Sequence, residues 1–208
     1  AGNGHSVTLA EPDPREYEIL KQERGNPSRL RKFKLPGEVS ITSNPQHTVD
    51  SNQMLVLAIP AQYLRSVLSQ LLFSRARLTS VVNLAKGLEL GTLRRMSQVI
   101  GECTPIPPTQ VVTVSGPSHA EEVILDMPTT VVAAGIDARV VAQVQQTFSG
   151  SAFRVYATDD IVGVELGGSL KNIIAIAAGI ADGLGMGDNT RGALVTRGLA
   201  EMTRLGLA

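Results

Sequence analysis

The feature that most constrains this chain is the recurrence of short β-branched runs at residues 6–10, 54–59, 80–84, 111–115, 129–134 and 153–157. Most are almost continuously apolar, as in Val111-Val112-Thr113-Val114, which is the pattern of strands covered on both faces. Between several of them the apolar period lengthens. Leu64, Val67, Leu68, Leu71 and Leu72 share one face of a helix over 61–73, and Val140, Val141, Val144 and Phe148 share one over 138–148. Strands alternating with helices predict an α/β fold, a doubly wound, Rossmann-like parallel sheet that binds ligands at the carboxyl ends of its strands. This architecture accounts for residues 1–157.

The strand signal stops after Thr158-Asp159-Asp160, which offers N-cap chemistry to a helix over 161–181. The glycines of 183–189 are expected to break that helix, and Leu194, Leu199 and Met202 mark another over 193–205. Residues 158–208 therefore read as the start of an all-α domain. At the other end, Ala1-Gly2-Asn3-Gly4-His5 reads as a helix end running into a strand. The basic stretch 24–34 reads as a solvated loop.

Composition removes several classes of function. The 19 basic residues balance 19 acidic ones, aromatics are 3% and tryptophan is absent, so neither a global field nor a stacking surface recommends nucleic acid as a partner. Cys103 is the only cysteine, which excludes an internal disulfide and a multi-cysteine metal site. No metal is expected, and a reducing, cytoplasmic setting fits. The most apolar run, 172–181, is interrupted at Asp182 and falls short of the roughly 20 residues of a membrane span, so none is expected.

The motifs that could carry chemistry sit where strands end. Neither Gly2-x-Gly4 nor Gly183-x-Gly185-x-Gly187 meets the G-x-G-x-x-G pattern between a strand and a helix, so a dinucleotide fingerprint is expected upstream of residue 1. Glu11 closes the first strand and suits either a solvent-facing carboxylate or an acceptor for the ribose of a dinucleotide. In Ser115-Gly116-Pro117-Ser118-His119-Ala120-Glu121, the S-x-x-E spacing from Ser118 to Glu121 predicts a capping box and a helix start. That start suits either a plain cap or an anion pocket, with Gly116 allowing close approach. His119 reads as a partly buried or capping histidine. Lys86, just past the strand 80–84, is either a solubilising lysine or a contact for a phosphate or hydroxyl opposite Gly116.

The richest segment is 163–175. On a helix, Gly168, Asn172, Ala175 and Gly179 form a small, polar stripe with Lys171 beside it. Interior helical glycines cost roughly 1 kcal/mol each, so they point to a close approach by a sheet edge or cofactor. A lysine on that face is expected to be partly desolvated, its pKa lowered toward acid-base use; the other reading is helix packing with a snorkelling lysine.

Taken in order, Asn3-Gly4-His5, Leu35-Pro36, Ala58-Ile59-Pro60, Lys86-Gly87-Leu88-Glu89 and the segments 115–123, 163–172 and 175–205 resemble the NAD(P)-dependent glycerol-3-phosphate dehydrogenases of bacterial type over essentially the whole chain. The resemblance implies an oxidoreductase interconverting dihydroxyacetone phosphate and sn-glycerol 3-phosphate with NAD or NADP, supplying glycerol 3-phosphate for phospholipid synthesis, and a homodimer. It implies Lys171 as the catalytic acid or base, and Lys86, Gly116, Ser118, Lys171 and Asn172 as substrate-binding residues. It also implies Glu11, Lys86 and Ala120 as cofactor-binding residues.

Departures from the family pattern give further expectations. Ala10 and Pro12 stand where relatives often carry a tryptophan and an arginine, and Arg29 replaces a tyrosine before Leu30-Arg31-Lys32. With Glu11, which repels a 2'-phosphate, these lean toward NAD. The first strand with its glycine loop and the later part of the helical domain are expected to lie outside these 208 residues, leaving the isolated piece inactive. The alternatives are a β-hydroxyacid or 6-phosphogluconate dehydrogenase, whose catalytic lysine and asparagine stand four apart where Lys171 and Asn172 are adjacent, or a non-catalytic fragment.

Overall fold

A computed structural model describes residues 1–26, 30 and 33–207. The chain opens with a turn at residues 1–4, where Gly4 takes φ +79°, and leads into β1 (Thr8–Ala10). Helix α1 (Pro14–Glu23) starts at Asp13, whose carboxylate accepts the Arg15 and Glu16 amides at 2.9 and 3.0 Å. It leads to β2 (Ser40–Thr42), which pairs in parallel with β1. The sequence reading missed β2, although the alternation of Val39, buried, and Ile41 around Ser40 is its signal. Helix α2 (Pro45–Ser51) follows, capped by Asn44.

The larger sheet has the order β3 (Met54–Leu57), β4 (Ser80–Asn83), β5 (Val111–Ser115), β6 (Thr129–Gly135), β7 (Phe153–Thr158). Two expectations are corrected here. Among the described residues β1 pairs with β2 and not with this sheet, and β6 runs antiparallel to β5 while the other pairs are parallel. The reason for the reversal is the connection, which carries only the four-residue α5 (Ala120–Val123) and no crossover helix to return the chain to the same end.

The strands are double-faced, as their apolar runs predict. On one face Leu55, Leu57, Val81 and Val111 meet α3 (Ala61–Leu68) and α4 (Met96–Cys103) through Leu64, Leu68, Val99 and Ile100. On the other, Val82, Val112, Val114, Val131 and Val155 meet α6 (Ala138–Phe148) through Val141 and Val144. Helix α6 has the expected limits, whereas α3 stops five residues short of 73. There the Gln46 side chain takes both backbone groups of Leu72, at 2.8 and 2.7 Å, in place of helical bonds.

Helix α7 (Ile161–Gly183) begins at Asp160, whose carboxylate accepts the Gly163 amide at 2.8 Å. Helix α8 (Gly187–Leu207) begins six residues earlier than expected. The break shrinks to a turn at 184–186 with Gly185 at φ +66°, because Asp188 sits in the first turn of α8, where a carboxylate suits the dipole, and pairs with Arg191. Arg191 also reaches Asp182 of α7 at 3.3 Å. The two helices touch closely at Gly198, where a Cβ would lie 2.5 Å from Ile174 Cδ1. By length and composition α7 reaches what a membrane-crossing helix needs, against the expectation from 172–181 alone; one side of it nonetheless docks on β5 and β6, with Glu165 bonded to Thr113 of β5.

The basic stretch 24–34 is only partly a solvated loop. Arg24 is half-buried in the left-handed region at φ 48° and donates to the carbonyls of Pro36 and Val39 at 2.5 and 2.8 Å, clamping the turn before β2. Arg29, Arg31 and Lys32, where the family pattern is broken, lie outside the described residues.

Candidate active site

One face of the sheet changes character along its strands. Val81 and Val111 are apolar, but the next positions on the same face toward the carboxyl ends are Asn83, Thr113 and Ser115, all buried. Asn83 shapes the turn beyond β4 by accepting the Ala85 amide at 3.0 Å and donating to the Ala85 carbonyl at 3.2 Å. The turn delivers Lys86, whose Nζ donates to the Gly116 carbonyl beyond β5 at 2.9 Å. The two strand ends are thus joined at the carboxyl edge.

Helix α7 docks on this polar edge at Gly168. A Cβ there would lie 2.6 Å from Ser115 Oγ and 3.8 Å from Lys86 Cγ, so the glycine is required by the close approach of a sheet edge, as the small-residue stripe predicts. Three residues further, Lys171 donates to Asn172 Oδ1 at 2.8 Å. The expectation of a partly desolvated Lys171 is not met: the side chain is exposed, because this side of α7 faces away from the sheet. Lys86 is the partly desolvated lysine of the site. Its pKa is lowered first by partial desolvation at the sheet edge, then by the like charge of Lys171.

The capping box at Ser118 does not form. Ser118 Oγ turns back to the Gly116 carbonyl at 3.4 Å, His119 takes the N-cap position with its side chain exposed and making no cap bond, and α5 is one turn long. Glu121 and Glu122 add negative charge at that start, which opposes the dipole on which the anion-pocket reading relied. The space beside Gly116 is also already used. A Cβ would meet Thr130 O and Val131 Cα, each at 2.8 Å, so the close approach of β6 by itself demands the glycine. Ala120 is exposed at the start of α5.

Glu11 lies at the carboxyl end of β1. One carboxylate oxygen accepts the Asp13 amide at 3.0 Å, and the other has no hydrogen bond to the described residues. It is not part of the Lys86 cluster.

Two residues that sequence reasoning missed hold the cluster together. Glu165 of α7 is buried and accepts from Arg95 Nη1 at 2.5 Å, from the Ser97 amide and Ser97 Oγ at 2.7 Å each, and from Thr113 Oγ1 at 3.3 Å. Burying an isolated carboxylate would be prohibitive; this one is paired and bonded by four donors. A lone glutamate inside the apolar run of α7, facing a strand with Thr113 among valines, is the signal that would have found it.

The loop carrying Lys86 is fixed by a second ion-pair group. Arg65 of α3 binds Glu89 through Nε at 2.7 Å and Nη2 at 2.9 Å, and reaches Glu102 of α4 at 2.7 Å. With a further donor in Thr92, this holds the Glu89 pKa down to about 2 from 4.5. Because the folded-state value is depressed, the stabilisation is complete above about pH 4.5 and is lost as pH falls through about 2. The melting-temperature difference between the protein and its Glu89→Gln variant is therefore expected to be constant above pH 4.5 and to shrink steadily toward pH 2. A difference that does not change over this range would contradict the assignment.

The pockets do not all coincide with this chemistry. An open cleft of about 190 Å³ between α7 and α8 has Lys171 at its rim beside Ile174, Val195 and Leu199. A broader depression of about 760 Å³, lined by residues including Asp50, Asn52, Arg75 and Arg77, lies at the amino ends of β3 and β4. Ligands in open α/β sheets bind at the opposite, carboxyl edge, so the depression at the amino ends is not the expected site, and the smaller cleft shares only Lys171 with the candidate residues.

Comparison with known proteins agrees with this geometry. Residues 1–141 match the family model for the NAD-dependent glycerol-3-phosphate dehydrogenase N-terminus, and residues 160–208 the model for its C-terminus. Over 205 residues the chain is 47% identical to glycerol-3-phosphate dehydrogenase of the NAD(P)+ type from Thermoanaerobacter sp. (strain X514), covering 99% of this chain and 61% of that protein. A relative from Fusobacterium nucleatum with the same name is 45% identical, over 99% of this chain and 62% of its own length. The crystal structure of glycerol-3-phosphate dehydrogenase from Coxiella burnetii superposes with a TM-score of 0.86 at 31% identity, covering 98% of this chain and 62% of that one. The chain thus spans about three fifths of the length of the relatives it matches. With both family models matched in order over most of its length, the chain belongs to the NAD-dependent glycerol-3-phosphate dehydrogenase family.

Proposed function

We propose that the protein interconverts dihydroxyacetone phosphate and sn-glycerol 3-phosphate with NAD(H), and that Lys171 moves the proton at the C2 oxygen. The observation that carries this reading is the meeting of Lys86, Gly116 and the Gly168 to Asn172 turn of α7 at one sheet edge, in a chain of this family. The nicotinamide supplies the hydride exchanged with C2. In the direction of reduction the Lys171 ammonium gives its proton to the C2 oxygen, and in oxidation the neutral amine takes it back. Asn172 Oδ1, 2.8 Å from Lys171 Nζ, orients the amine, and Lys86 offers a second cation for the oxygens of the substrate.

The donor and acceptor set suits a dinucleotide. Glu11, at the end of β1, has a carboxylate oxygen with no hydrogen bond to the described residues, where this fold takes a ribose hydroxyl, while Lys86 and Ala120 follow the carboxyl ends of β4 and β5 in the larger sheet. Gly116 and Ser118 complete the substrate side. Delivery of glycerol 3-phosphate to phospholipid synthesis, a cytoplasmic setting and a homodimer belong to the same reading, which extends the activity in the relatives' shared name.

The test is steady-state turnover of dihydroxyacetone phosphate by the natural gene product with each reduced cofactor. NADH is expected to give the larger kcat/KM, since the Glu11 carboxylate repels a 2'-phosphate and Pro12 offers it no cation. A clear NADPH preference would remove the argument from Glu11. Turnover of 6-phosphogluconate or a β-hydroxyacid instead would overturn the whole reading.

A further inference from the structure

We propose that Glu165 is a positioning residue, setting from its buried place between α4, β5 and α7 the spacing of Lys86, Gly116 and Lys171. The proposal rests on the substrate site described above, since it concerns how that site is held.

The donors to the Glu165 carboxylate come from two segments, the start of α4 and strand β5, and each segment leads to a site residue. Arg95, at 2.5 Å, closes the loop that starts at Lys86, through the bridge between Leu88 and Arg95 and the bond from the Glu89 amide to the Arg94 carbonyl at 2.9 Å. Ser97, which gives its amide and hydroxyl at 2.7 Å, stands in the first turn of α4, so Glu165 caps that helix from another element. Thr113, at 3.3 Å, precedes Ser115 and Gly116 on β5 and also receives the Asn83 amide at 3.4 Å. Glu165 itself stands three residues before Gly168 and six before Lys171 on α7, and its backbone carbonyl accepts from Ser169 Oγ at 2.7 Å. The three chain segments that supply the site are thus referred to one carboxylate.

Sheet and helix packing alone would not need this. Gly168 already lets α7 touch β5, and an apolar side chain at 165 with an apolar partner at 95 would pack as well or better than a buried ion pair. What the carboxylate adds is direction: charge-assisted bonds fix where α7 sits along its own axis and how the Lys86 loop is turned. A glutamine at 165 keeps the volume but turns an NH2 group toward donors, and so breaks part of the set.

The experiment compares the natural gene product with Glu165→Gln and Ser97→Ala, all below their melting temperatures. Two readouts are taken per folded molecule: kcat and KM for dihydroxyacetone phosphate and NADH, and the titration of Lys86 and Lys171 by competitive acetic anhydride labelling with mass-spectrometric detection. Glu165→Gln is expected to lower kcat roughly 10- to 100-fold, as misplacement of a reacting group on the order of 1 Å does, with KM for NADH within about 2-fold. The Lys86 titration is expected to move up toward that of an ordinary lysine as the Lys171 charge moves away. Ser97→Ala should do the same to a smaller extent. Either readout at its wild-type value in folded Glu165→Gln overturns the proposal, and so does failure of both variants to fold, which would make the residue a folding determinant only. If the natural protein does not turn over dihydroxyacetone phosphate, the functional reading fails and the lysine titration alone decides the positioning role.

Discussion

Replacing Lys171 by methionine in the natural gene product is expected to lower kcat about 100- to 10,000-fold, or roughly 3 to 5 kcal/mol of barrier, while the cofactor dissociation constant stays nearly unchanged. In the proposed mechanism the lysine acts on the substrate oxygen, so the nucleotide loses no contact. The structure makes the experiment cleaner than the sequence alone would. Lys171 is exposed and among the described residues its ammonium bonds only to Asn172, so methionine, which keeps most of the stem, should change stability by no more than about 0.5 kcal/mol. A role in packing alone therefore predicts a stable, active variant. The measurements are kcat, the cofactor dissociation constant and the melting temperature of one preparation. Near-normal kcat would contradict the catalytic assignment.

The second large effect concerns stability. Arg95→Met is expected to destabilise the fold by about 3–5 kcal/mol, because it strands the Glu165 carboxylate, whose side chain is 3% exposed, with its counter-charge removed. Replacing both partners, with Arg95→Met and Glu165→Leu together, is expected to recover most of that loss, since the penalty lies in the unpaired charge and not in the absence of the pair. Denaturant melts of the two single variants and the double variant give the coupling. A single Arg95→Met variant with the stability of the parent would show that the pair is not buried as described.

The strands of the larger sheet and α6 were legible because their signals are local. Continuous apolar runs such as 80–84 and the period of Val141 and Val144 carry the information in the residues themselves. The reversal of β6 was not legible, since it depends on how little helix forms between Gly116 and Met127, and that in turn on Ser118 bonding backward instead of capping forward. The early end of α3 depends on Gln46, 26 residues from Leu72.

The site divides in the same way. Lys86, Gly116 and the Gly168 to Asn172 stripe were found from strand ends and from glycines that ask for a reason, and the structure joins Lys86 to Gly116 and Gly168 to Ser115. Glu165 and Arg95 were not found because Glu165 lies off the small-residue stripe of its segment, Arg95 lies in no motif, and 70 residues separate the two. Which lysine is desolvated also depends on tertiary packing: the apolar neighbours of Lys171 in sequence lie on an exposed side of α7, while Lys86 is drawn against the sheet edge.

The most direct test of the account is protection of these lysines by substrate. Acetic anhydride labelling of the natural gene product, with and without sn-glycerol 3-phosphate in the presence of NAD+, reports each lysine separately. The account predicts that substrate protects Lys86 and Lys171 together and leaves Lys21 and Lys34, which lie on and beyond α1, labelled as before. Equal labelling of Lys86 and Lys171 with and without substrate would contradict it.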